Sequence, residues 1–109
     1  MKFRKTDAFL GDIERQYKWY AVNASGELAD RFLSAVEGAC QLLSLQPHLG
    51  PACGFTNPKL QSWRYFLVLR PFERHILFYE ISSEEIILRR AMHGHRDLPK
   101  RLLESRDER

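Results

Sequence analysis

At Pro47 the spacing of apolar residues along this chain changes from a helical period to a strand period, so two kinds of secondary structure have to share one small core. Before that point, Phe9, Leu10, Ile13, Tyr17, Tyr20 and Ala21 recur at three- and four-residue intervals. This spacing predicts an amphipathic helix over about 7–22, with Thr6 as N-cap and Asp7 in the first turn, where the helix dipole favours an acid. Asn23-Ala24-Ser25-Gly26 interrupts the pattern. Ser25 then suits the cap of a second helix whose stripe is Ala29, Phe32, Val36, Ala39, Cys40 and Leu43. Pro47 cannot continue that helix and disfavours helical backbone at Gln46, so it stops near Leu45. The short link implies an antiparallel helical hairpin.

After a loop over 46–61 punctuated by Pro47, Gly50, Pro51, Gly54 and Pro58, three strand-like runs follow at 63–70, 75–81 and 85–93. Their turns, Pro71-Phe72-Glu73 and Ser82-Ser83-Glu84, are too short for parallel crossovers, so these strands form an antiparallel meander. Positions 1–5 suit one more short strand. The expected fold is α+β: a helical hairpin on an antiparallel sheet of three to four strands. One domain is expected over 1–105, with a terminal turn or helix near 98–104 and a frayed tail over 106–109.

Composition narrows the classes of function. No run is long enough to span a membrane and no apolar stretch follows the basic Met1-Lys2-Phe3-Arg4-Lys5, so a cytoplasmic protein without membrane contact is expected. Cys40 lies on a helical stripe and Cys53 in a loop, which reads as two unpaired thiols. The net charge is +3, and its placement is uneven. Positions 1–88 hold ten Lys/Arg and ten Asp/Glu, whereas 89–109 hold seven against four. The excess therefore sits on the last strand and tail, where an acidic partner or a phosphate backbone could meet it.

Four stretches, in order, resemble the ParE/RelE toxin superfamily, and its ParE-like branch most closely. Leu45-Gln46-Pro47-His48-Leu49-Gly50 resembles that family's stop after the second helix. Trp63-Arg64-Tyr65-Phe66 resembles its entry to the sheet, and Phe72-Glu73-Arg74-His75-Ile76-Leu77-Phe78-Tyr79 its central strand. Arg90-Ala91-Met92-His93-Gly94-His95-Arg96-Asp97-Leu98 resembles its terminal signature. The resemblance implies the toxin of a type II toxin–antitoxin pair that poisons DNA gyrase and is neutralised by a cognate antitoxin with a C-terminal segment that folds on it. Operator DNA would be contacted only through that antitoxin.

A binding poison of this type needs an exposed surface, for which Arg90, His93, His95, Arg96, Lys100 and Arg101 are the candidates. Trp19, Tyr20, Trp63 and Arg64 are candidates for antitoxin contact, although Trp19 and Trp63 also suit a core or groove lining. The alternative implied by the RelE-like branch is a ribosome-dependent messenger ribonuclease. RNA cleavage needs a base, an acid and cations on the phosphorane. Arg64, Arg70, Arg74, Arg90 and Arg96 could supply charge, and His75, His93 or His95 could move protons. The narrower catalytic set is Arg64, Arg74, His93 and Arg96. That set is incomplete: Leu102 stands where those enzymes often carry a tyrosine, and His75-Ile76 stands where an arginine should open the strand. No cofactor is expected. His93-Gly94-His95 lacks a suitably spaced third ligand for a metal. Arg90 also has a structural reading, as the partner of an acid such as Glu80 or Glu14.

Overall fold

The computed structural model describes residues 1–94. In order it comprises strand β1 (Lys2–Lys5), helices α1 (Asp7–Asn23) and α2 (Gly26–Leu45), then strands β2 (Arg64–Leu67), β3 (His75–Ser82) and β4 (Glu85–His93). Both helices start where side-chain capping predicts: Thr6 accepts from the Phe9 N–H and Ser25 from the Leu28 N–H. The terminal helix expected near 98–104 and the frayed tail lie outside the described residues.

The strands lie in the order β1-β4-β3-β2. The meander β2-β3-β4 is antiparallel as expected, but β1 runs parallel to β4, so the sheet is mixed rather than wholly antiparallel. The long helical hairpin between β1 and the meander makes that possible, because parallel neighbours need a long connection. Thr6 secures the junction. Its backbone N–H and its hydroxyl both donate to the Leu88 carbonyl at 3.1 Å, while the same oxygen caps α1.

Each sheet face has its own core. Phe9, Phe32, Val36, Ala39, Cys40 and Leu43 from the helices pack on Leu77, Tyr79, Ile86 and Leu88. Each fully buried Phe, Val, Leu or Ile among them contributes about 1.5–3 kcal/mol. On the opposite face Ile76, Phe78 and Met92 pack against Leu60 and Trp63, flanked by Cys53 and Phe55. The segment after α2 is therefore a cover for the second face, which explains the unbroken apolar run Ile76–Tyr79 of β3.

The pairing of β3 with β4 slips by one residue. Phe78 faces Arg90 while Tyr79 faces Leu88, leaving Arg89 as an extra residue. As a result Leu88 points into the helix-covered core and Met92 into the other, despite their even spacing.

Candidate functional site

Two polar anchors fix the middle of the molecule. On α1, Asp12 receives the Arg90 guanidinium on both oxygens, Nε to Oδ2 at 2.7 Å and Nη2 to Oδ1 at 3.0 Å. The Ala91 N–H also donates to Asp12 Oδ2 at 3.0 Å, and Arg15 Nη2 donates to Oδ1 at 3.0 Å. Asp12 and Arg90 are both buried. Arg90 therefore does not present its charge to an incoming macromolecule, which corrects its place among the target-binding candidates. Its acid is Asp12, not Glu80 or Glu14, and Glu80 instead takes the extra residue of the bulge, Arg89.

The second anchor is Tyr79. Its hydroxyl donates to the Pro47 carbonyl at 2.7 Å and accepts from the Gly50 N–H at 3.0 Å. Gly50 sits so close to the sheet that a Cβ there would lie 2.2 Å from the Tyr65 carbonyl oxygen. Arg64 belongs to the same knot, with Nε donating to the Gly50 carbonyl at 2.7 Å. Trp63 is buried in the second core, so of the antitoxin-contact candidates this ring is closed to an incoming chain in the present conformation.

Among the described residues, one end of the sheet is left uncovered. The start of β3, the end of β4 and the last turns of α1 converge there. Tyr20 hydrogen-bonds His75 through its hydroxyl and Nε2 at 2.8 Å. The His75 ring lies 4.7 Å from the rings of both Phe32 and His93. Burial, and secondarily the nearby His93, push the His75 pKa down to about 4, so this imidazole is neutral near pH 7. Around it Trp19 is 56% exposed, and Arg74 and His93 are exposed. The Gly94 N–H donates to the Arg74 carbonyl at 3.2 Å, and Gly94 takes φ +88°, a backbone state natural to glycine. The chain leaves the described region from this point, so His95, Arg96, Lys100 and Arg101, the remaining target-binding candidates, lie outside it.

Of the four ribonuclease candidates, Arg74 and His93 come together, Arg96 is not among the described residues, and Arg64 is apart. Arg64 pairs with Tyr79, four residues along β3 from His75, or roughly 13 Å at strand rise. Trp19 and Tyr20 do share the open end. Sequence reasoning missed Asp12, whose signal was available: it lies three residues after Phe9 on the apolar stripe of α1, a position where an acid needs a cationic partner. It also missed Tyr79 and Gly50 as a pair, which no local pattern connects.

Neither thiol is activated. Burial raises Cys40 to about 12 and Cys53 to about 11. Among the described residues no cluster of three His, Cys, Asp or Glu could hold a metal, and no helix is long and apolar enough to cross a membrane.

A family model described as the ParE toxin of the type II toxin–antitoxin system parDE matches residues 3–98. The chain belongs to this ParE toxin family. A solved structure described as the chromosomal ParDE TA system from P. aeruginosa is similar in fold, with a TM-score of 0.71. Identity is 17%, over 87% of this chain and 97% of that one. Comparison with curated proteins gives no significant match. In this ParE-type toxin the match therefore spans both anchors and the open end.

Proposed function

We propose that this ParE-type toxin arrests growth by binding DNA gyrase through the open end of its sheet, and that a cognate antitoxin neutralises it in the cytoplasm. The observation that carries this reading is the separation of roles among its cationic side chains. Arg90 is held by Asp12 and Arg64 by the Gly50 carbonyl, whereas Arg74 is exposed beside His93. The charge-rich stretch 95–101 continues from the same place. Trp19 adds an exposed aromatic ring, the kind of side chain that anchors protein interfaces.

The same geometry gives less support to RNA cleavage. His75 is neutral and joined to Tyr20, and Arg64 is distant from Arg74 and His93. A binding poison needs no proton relay, so it makes no demand that this arrangement fails to meet. The test adds purified toxin to a gyrase supercoiling reaction and, separately, to a translating ribosome system with labelled message. Loss of supercoiling or trapped cleaved DNA is expected, with intact message. Message cut within codons and unaffected supercoiling would replace this reading with a ribosome-dependent ribonuclease.

A further inference from the structure

His75 and His93 are partners in the register of β3 with β4. Residues directly opposite on neighbouring strands project to the same face of a sheet, so the two imidazoles meet although they lie far apart in the chain. Their ring centres are 4.7 Å apart, with the planes inclined at 53°. Imidazole nitrogens bind zinc at about 2.0–2.1 Å, so two rings on one tetrahedral ion have centres roughly 5 Å apart. The pair stands close to the separation that a shared ion requires.

The His75 ring is also held as metal-bound imidazoles are. Its Nε2 meets the Tyr20 hydroxyl at 2.8 Å, and the Phe32 and Phe72 rings lie against it with centres at 4.7 and 6.4 Å. A histidine ligand commonly gives its second nitrogen to a hydrogen-bond partner, which sets the tautomer and the orientation of the ring. With Tyr20 accepting the Nε2 proton, the lone pair sits on Nδ1. That nitrogen bonds no described residue, and no buried side-chain nitrogen is left without a partner, so Nδ1 reaches solvent. His93 beside it is exposed. An ion from solution can therefore reach both rings.

The surroundings choose among cations. Tyr20, Phe32, Phe72 and His93, whose rings adjoin His75, carry no carboxylate, and the preceding Arg74 is an exposed cation. Magnesium and calcium ions need oxygen donors and anionic charge. Zinc, nickel and copper ions accept neutral imidazole. We propose that His75 and His93 form a two-imidazole site for a divalent transition metal of the zinc class, with Tyr20 positioning His75 and solvent filling the remaining coordination positions. The stretch His93-Gly94-His95 has no third ligand nearby in sequence, and the fold brings an imidazole to it from β3.

The test titrates zinc chloride into the purified full chain, freed of any histidine tag, by calorimetry, and follows the imidazole resonances of His48, His75, His93 and His95. One ion per chain is expected, with the His75 and His93 resonances shifting together. His75→Gln and His93→Gln should each weaken binding by about tenfold or more, and Tyr20→Phe by about tenfold through loss of the group that orients the ring. His48→Gln should leave the affinity unchanged, and magnesium chloride should not bind. Should His75→Gln fail to fold, the resonances of the wild-type chain still decide. Binding that is lost in His95→Gln while the His75 resonances stay unmoved would assign the ion to His93-Gly94-His95 alone and overturn the site. Absence of saturable binding up to about millimolar zinc would overturn it as well.

Discussion

Arg90 and Arg74 both border the pairing of β3 with β4, yet they do opposite things. Arg90 is folded against Asp12 and buried, and its charge is consumed by the fold. Arg74 stands exposed next to the neutral His75, its carbonyl tied to Gly94 and its side chain facing outward to solvent. The difference teaches that charge in the sequence does not map onto charge at the surface. In this toxin a fixed middle, made of two cores and two polar anchors, holds up an end where Arg74 and His93 are exposed.

The largest expected effect tests the fixed middle. Arg90→Ala leaves Asp12 buried with only Arg15 and a backbone N–H, and stability should fall by about 3–5 kcal/mol in chemical denaturation. A loss under 1 kcal/mol would mean that the ion pair is not structural, and the contrast would collapse.

His75 joins the two regions, and pH reports on it. Its folded pKa is about 4, below the ordinary value of 6.5, so above pH 6.5 both folded and unfolded chains carry it neutral and its contribution is fully present. As pH falls from 6.5 toward 4 the unfolded chain takes up the proton first, and stability declines by at most about 3 kcal/mol before levelling below pH 4. His75→Gln should remove that part of the slope, measured as thermal midpoint against pH.

A smaller loss, about 1–3 kcal/mol, is expected for Gly50→Ala, because the added methyl meets the Tyr65 carbonyl and the Tyr79 hydroxyl and one of them has to move. At the open end, Arg74→Glu and His93→Ala should change stability by less than about 0.5 kcal/mol while weakening growth arrest. A large loss of stability in either would show that the end is not free of the fold.

What could be read from the sequence follows the range of the forces. Thr6 and Ser25 were legible as caps because a cap acts within one turn, and the three meander strands were legible because their turns are short. The parallel pairing of Lys2–Lys5 with β4 was not, since nothing local to the first residues names a partner more than eighty positions away. Strand parity in the sequence groups Arg90 with Leu88 and Met92, and the single extra residue at Arg89 defeats that count. The role of 46–63 as the cover of a second core was likewise hidden, because Leu60 looks like an isolated loop residue, and Trp63 like the start of a strand, until Phe78 is placed beneath them. At the candidate site the sequence named Trp19, Tyr20, Arg74 and His93, which the fold gathers, and also Trp63 and Arg64, which it commits elsewhere.

The most direct test of a load carried by the fixed middle and a function carried by the open end is solo expression without the adjacent gene product. The wild-type chain should stop growth, while the double variant Arg74→Glu, His93→Glu, accumulating to the same level with the same melting temperature, should allow it. Equal arrest by that folded variant, or normal growth with the wild-type chain, would contradict the account.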